Sequence, residues 1–532
     1  MNKARSLVVL GLTLAAAACL VSYLVAGRSA TTAGLPLDDS FIHLQFARSI
    51  AAGDGLAFRP GRLVSGSTAP LWTAVLSLLF ALPGPLLLWV NVLGAALYAA
   101  GAAATWALAR ELDLSPALAA GVTLLYLLTD AMVWSALSGM EVGLFVALSV
   151  AATALHLRER RAASPGRPSL ALALFGLASL ARPEGFLLLV LAVVDRLLFP
   201  APGNDRRKAG PSPVGAGGAL AGIAIGALCA ALVIAAFLLF SLTVSGSPLP
   251  TTYAVKTDGP RSLLPSGLYL LRVVGVMFRP HPLPVLLALG GALCLLERLR
   301  TPRDRGLLPA LWVAGLPLAY SLYDSPEAPM MVGNFGRYYF PLIPFVLVLG
   351  ALALEQPLAR LRAAPALWRA AAAMVLAAAL LVPPVSTLAM GRERYAANVR
   401  NVNDSDVAMS IWIRDHLPPA AVIAAQDVGA IGFLTPNPLI DLTGITTPEI
   451  LPSIERAAGA SGGRAGLLRF LEQRRPDYLM LFADSYPGFL DEVGGQVVRR
   501  LRIERNVTMA GADLVLARSS WAVLGEGGAQ AK

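Results

Sequence analysis

The stretch LPLDDSFIHLQFARSIAAGDGLAFRPG, Leu35–Gly61, follows the first long apolar run of the chain and sets two adjacent carboxylates, Asp38 and Asp39, at its edge. Ionised groups are costly in or beside hydrocarbon, so this stretch belongs outside the bilayer core. Its own periodicity says what it does locally. Ile42, Phe46 and Ile50 recur every fourth residue, which makes an apolar stripe on a short helix ending at Gly53. Asp39 or Ser40 caps such a helix, and a carboxylate favours its positive end. That accounts for one acidic residue. The other is available to take a proton from a hydroxyl, or to hold a divalent cation.

Outward from this stretch, the chain reads as a polytopic membrane protein. Of 532 residues, 56% are hydrophobic and only 14% charged, where a soluble chain carries about a quarter. The apolar residues come in runs close to the length that crosses a bilayer, about twenty residues. Spans are expected near 7–27, 85–109, 116–137, 139–157, 169–181, 184–199, 214–244, 282–297, 307–323, 338–354 and 368–390, eleven in all. The first run has the basic start and apolar body of a signal peptide, and LAAAAC weakly resembles a lipoprotein cleavage box. It continues past Cys19 to Ala26, long enough to span, and is read as an uncleaved helix.

The net charge of +10 sits in short Arg clusters between apolar runs, at Lys3/Arg5, Arg110, 158–161, 206–208, 298–305 and 360–369. Eleven spans put every cluster on the same side as the N-terminus, as the positive-inside rule requires. Nucleic acid is not expected as a partner. Loop 28–84, loops 245–281 and 324–337, the turn Arg182-Pro183-Glu184 and everything after Met390 then face outside. Segment 71–82 is too short to span and is expected along the interface. Cys19, Cys229 and Cys294 all lie in apolar runs, and the four histidines are scattered singly, so neither a disulfide framework nor a zinc pattern is present.

The tail, 391–532, changes character. DVAMSIWIRDHLPP and GLLRFLEQRRP read as helices; AAVIAAQ, DYLMLF and ADLVLARSS read as strands. The expected fold is mostly α: a transmembrane helix bundle, 1–390, followed by an extracytoplasmic α/β domain, 391–532.

The first span followed by DDSFIHLQFARSIAAGDGLAFRPGRLVSGSTAPLW resembles the first external loop of bacterial GT-C glycosyltransferases, polytopic enzymes that use polyprenyl-phosphate sugars. SALSGMEVGLF (135–145), LARPEGFLL (180–188), PLPTTYAVKT (248–257), GRYYFPLIP (336–344) and AQDVGAIGFLTPNPLIDLTGITTPE (425–449) fit the same family in the same order. The local flavour is similar to that of the mycobacterial terminal arabinofuranosyltransferases, although TTYAVKT stands where an asparagine-containing stretch is expected.

The resemblance implies an active site at the acidic pair, with Asp38 as base and Asp39 as its partner, orienting the acceptor, holding Mg or Mn, or capping the helix. Lys256 and Arg337, with Arg182, are then the cations for the leaving lipid phosphate; Tyr253 and Tyr338 beside them line the sugar pocket. For each, anchoring at the membrane interface is the alternative role. Glu141 and Glu184 open apolar helices, where a carboxylate is welcome; their other roles are in the acceptor pocket or, for Glu184, in pairing with Arg182. His43, on the acidic helix, is a further substrate-pocket candidate.

The expected partners are a polyprenyl-phosphate sugar, a glycan, lipid or protein acceptor, and membrane lipids. The expected location is the cytoplasmic (inner) membrane of a bacterium, which the Ala/Arg/Leu bias suggests is of high GC content. A transporter or flippase of lipid-linked sugars is the competing class. It calls for paired repeats and mid-membrane charges, whereas here the polar residues gather on one side. A membrane-anchored binding protein would need a single span.

Overall fold

The structure, a computed structural model, describes residues 3–162, 167–199, 213–250, 266–299, 306–322, 334–455 and 462–522. The chain forms two compact units, one of Met1–Leu24, Asn91–Leu238 and Gly259–Glu393, the other of Val25–Val90, Leu239–Asp258 and Arg394–Lys532.

Apolar helices dominate. Six described segments are long and apolar enough to cross a bilayer: Ser6–Ala30, Leu86–Glu111, Val142–Ala162, Leu220–Ser245, Gly336–Leu361 and the start of Ala366–His416. Two bent pairs, Pro116–Leu127 with Asp130–Leu137 and Gly267–Phe278 with Pro282–Arg298, bring the number to eight if each is one span. The chain is thus a multi-pass membrane protein; among the described residues six to eight crossings are found where eleven were expected. Length is the reason. Leu170–Ala181 and Leu308–Ser321 have 12 and 14 residues, about 18–21 Å of helix against a core of about 30 Å. Apolar composition alone could not distinguish such short helices from full crossings. Segment 71–82 is also short, an eight-residue helix Pro70–Ser77 followed by one 3₁₀ turn.

In the first unit, Leu7, Leu271 and Trp368 are each about two-thirds exposed, an apolar exterior suited to lipid. Inside, helices meet through small residues. A Cβ at Gly291 would lie 2.0 Å from the Leu349 carbonyl oxygen, so only glycine permits that approach.

The second unit is built on a five-stranded sheet of β3 (Ile423–Ala425), β4 (Leu439–Asp441), β5 (Tyr478–Phe482), β6 (Gln496–Arg502) and β7 (Asp513–Arg518), in the order β4-β3-β5-β7-β6. Strands β4, β3 and β5 are parallel, and β7 is antiparallel to both β5 and β6. Successive side chains point to opposite faces of a strand, and each face carries its own core. Leu479 and Leu481 pack with Leu467, Phe470 and Leu471 of the helix Gly462–Arg474.

Met480 and Phe482, on the other face, pack with Met409 and Ile413 of the helix Ala408–His416 and with Ile42, Phe46 and Phe58 of the first loop. Of the apolar stripe read from the sequence, Ile42 and Phe46 are in this core, so what they bury against is the tail domain, while Ile50 lies outside it. The helix Asp39–Ala51 carries that stripe, and a short hairpin, β1 (Ala57–Arg59) and β2 (Arg62–Leu63), follows it. Strands β4 and β6 were not anticipated. The first is three residues long, and the second is an exposed edge carrying three arginines.

Candidate active site

The helix Asp39–Ala51 begins one residue after Asp38, which occupies the cap position without capping it. Neither Asp39 nor Ser40 is the cap: Asp39 lies in the first turn, and Ser40 is buried within the helix. The Asp38 carboxylate turns instead to the tail domain. Its Oδ2 accepts the Gly429 N–H at 2.7 Å, and its Oδ1 accepts the Ala430 N–H at 2.7 Å. Those amides open the six-residue helix Gly429–Leu434.

The carbonyls at the other end of that helix are held by the first loop too. Arg48 donates to Phe433 O at 2.8 Å, and Arg59 donates to Gly432 O at 3.0 Å and Thr435 O at 2.9 Å. One short tail helix is thus gripped at both ends by charges of the first loop, each of the sign that the peptide groups there prefer.

Three more carboxylates gather around Asp38, and the sequence reading did not single them out. Asp427 follows β3, Asp441 ends β4, and Asp406 sits in a π-helical turn, Asn403–Val407. Turns of that kind inside α-helices are uncommon and frequent at functional sites. Asp441 is saturated: its Oδ1 accepts from the Thr443 N–H and hydroxyl and the Gly444 N–H, and its Oδ2 from the Thr446 N–H and hydroxyl. Asp406 is fully buried, and neither of its carboxylate oxygens has a hydrogen-bond partner among the described residues.

Burial pushes the Asp38 carboxyl up to about 6; the two amides pull it back, and the charges of Asp39 and Asp441 push it further up. Asp427 is raised well above the usual carboxylate range by burial, then by Asp38, Asp39 and Asp441. Burial raises Asp441 as well, against its threonine donors. A base with a pKa near 6 is deprotonated at neutral pH and still able to take a proton.

A divalent cation is a natural thought for such a cluster, since oxygen donors suit Mg and Mn. Among the described residues no group of three or more Asp, Glu, His or Cys side chains closes on a common point. No step is therefore derived through a metal.

The first unit holds a separate polar centre. Arg182, in the turn between two apolar helices, donates to Glu141 at 2.9 Å and to Glu184 at 2.6 Å, and Tyr320 donates to Glu184. All three charged side chains are buried. The pairing of Arg182 with Glu184 is thus one of the alternatives read from the sequence, with Glu141 joining it. The Arg182 guanidinium is shared between two carboxylates, the alternative to the phosphate role that the resemblance offered. Tyr338 lies between two cations, its ring centre 5.2 Å from the Arg182 guanidinium carbon and 5.5 Å from that of Arg337. Arg337 is buried, as is His43 on the acidic helix. Tyr253 and Lys256 lie outside the described residues.

A further network was hidden from sequence reading. His156 Nε2 lies 2.8 Å from Asp195, whose other oxygen accepts the Leu307 N–H at 2.6 Å. It ties three segments together and has no other evident task.

Residues 392–526 match a family described as a domain of unknown function, DUF8728. No curated protein matches the chain. Solved structures do. The chain is similar to ArnT from Cupriavidus metallidurans bound to undecaprenyl phosphate, with a TM-score of 0.57 at 16% identity over 96% of this chain and 98% of that one. It is similar to the oligosaccharyltransferase of Archaeoglobus fulgidus, with a TM-score of 0.59 at 13% identity over 89% of this chain and 69% of that one. The arabinofuranosyltransferase AftD from Mycobacteria gives 0.50 at 17% identity, over 96% of this chain and 40% of that one. The chain shares its fold with these solved structures, as the sequence resemblance implied.

Proposed function

We propose that the protein is an integral-membrane glycosyltransferase that moves a sugar from a polyprenyl-phosphate donor to an envelope glycan, lipid or protein acceptor, with Asp38 as the base. The observation that carries this reading is the setting of Asp38. It is a half-buried carboxylate, aligned by two main-chain amides, surrounded by other carboxylates and poised near pH 6. The shared fold supports the donor class, since the ArnT structure holds undecaprenyl phosphate.

In the proposed step the acceptor hydroxyl gives its proton to Asp38 as its oxygen bonds to the anomeric carbon. The bond from that carbon to the phosphate oxygen breaks, and the polyprenyl phosphate leaves with the electron pair. Fixed cations stabilise such a leaving group. Lys256 and Arg337 are the candidates, and weaker donor retention by Lys256→Ala or Arg337→Ala protein identifies which one acts. Arabinofuranose is the first sugar to try, from the flavour of the first loop.

The test is release of polyprenyl phosphate by protein reconstituted in vesicles with a panel of polyprenyl-phosphoryl arabinofuranose, mannose and glucose. At least one donor is expected to be consumed. Its rate should be level above pH 6 and fall about tenfold per unit below, as Asp38 gains its proton. A rate that stays flat down to pH 4 would remove Asp38 as base.

The Arg clusters support a tail on the outer face of the cytoplasmic membrane. A reporter active only outside the cytoplasm, fused after Leu516, is expected to be active; silence there with an active cytoplasmic reporter reverses the orientation.

A further inference from the structure

The tail domain carries no catalytic assignment, yet it makes the two hydrogen bonds that the Asp38 carboxylate accepts. We propose that this domain aims the base: Gly429 and Ala430 are positioning residues, whose main-chain amides set the direction of the Asp38 carboxylate. The inference rests on the reading of Asp38 as the base and adds what the domain contributes to it.

The geometry is specific at three points. Each carboxylate oxygen takes one amide, both at 2.7 Å, so the carboxylate plane is held at two points and cannot turn freely. Each oxygen keeps a second lone pair for an incoming proton.

Residue 429 must be glycine for this to happen. A Cβ there would lie 2.0 Å from the Asp38 carbonyl oxygen and 2.6 Å from Oδ2, closer than any side chain can tolerate. The helix that presents the amides is itself immobilised. Arg48 and Arg59 hold its carbonyl end, and Val428 and Ile431 sit in the core shared with Ile42, Phe46 and Phe58. The charged groups that face Asp38 are Asp39 on its own helix, Asp441 at the end of β4, Asp427 after β3 and Asp406 in the π turn. All are acidic, so among these influences the amides are what favours the ionised form.

The experiment reads Asp38 directly, without a substrate. Infrared difference spectra of wild type minus Asp38→Asn isolate the protonated-carboxyl band of Asp38, with a midpoint expected near pH 6. Gly429→Ala pushes the carboxylate off its amides. Ala430→Pro deletes one donor at a helix position where proline is tolerated. In each variant that keeps a cooperative melt, the midpoint is expected to rise by about one pH unit per amide lost. The acid limb of donor consumption should move with it, while the KM for the donor stays within about twofold.

A residue that only supports the fold would lower the melting temperature without moving the midpoint. That outcome, or loss of folded protein in both variants, overturns the positioning role. The two readings fail separately. Full transfer by Asp38→Asn removes Asp38 as base, whereas an inactive Asp38→Asn alongside an unmoved midpoint in Gly429→Ala removes only the part given to the tail domain.

Discussion

Asp38→Asn is expected to lower sugar transfer by about 10²–10⁴-fold, the usual effect of deleting a general base. The substitution keeps the shape of the side chain and removes its basicity. It is not silent for the fold. The carboxylate accepts one amide on each oxygen. Asparagine offers one oxygen and one NH₂, so one of the two main-chain N–H groups is left facing another donor. An unsatisfied buried donor costs about 1–3 kcal/mol. Transfer must therefore be measured well below the melting temperature of the variant, with donor binding measured alongside. A folded, donor-binding, inactive protein is the expected result. Wild-type turnover by folded Asp38→Asn would reduce the first-loop acidic pair to a structural tie.

Arg182→Met is expected to destabilise the protein by about 3–5 kcal/mol, the cost of removing one partner from a buried ionic group. Arg182, Glu141 and Glu184 have side chains only 4, 11 and 5% exposed. Without the guanidinium, two carboxylates that shared a cation face each other in a site closed to water. Methionine keeps much of the packing volume, so the loss reports charge rather than a cavity. The double variant Arg182→Met with Glu184→Gln should recover part of it, because one negative charge then disappears. Thermal unfolding in one detergent measures both. A loss under about 1 kcal/mol for Arg182→Met would mean that water reaches the cluster.

How much of this was legible in the sequence depended on the range of the interaction. Arg182 and Glu184 stand two residues apart, so their pairing could be read from the turn. Glu141 lies 41 residues before Arg182, and no local pattern could distinguish a helix-start carboxylate from a third member of an ion cluster. The short helices of the first unit were read as spans because composition records apolarity and not length in three dimensions.

The sequence by itself determined the class of the protein. Long apolar runs, sparse charge and the placing of arginines leave a multi-pass membrane protein with a small α/β tail, because those features follow from solvation and local periodicity. It also pointed to Asp38 and Asp39, since two carboxylates at a membrane edge need a reason. Only the tertiary structure decided what Asp38 does with its oxygens. The cap was expected of Asp39 or Ser40, and Asp38 was expected to have Asp39 beside it as its partner. The partners are Gly429 and Ala430, separated from it by 391 and 392 residues. Asp406, Asp427 and Asp441 join it for the same reason: the sheet of the tail and the apolar stripe of the first loop bury each other, and hydrophobic burial is non-directional. No spacing in the chain encodes which distant carboxylates that burial will gather.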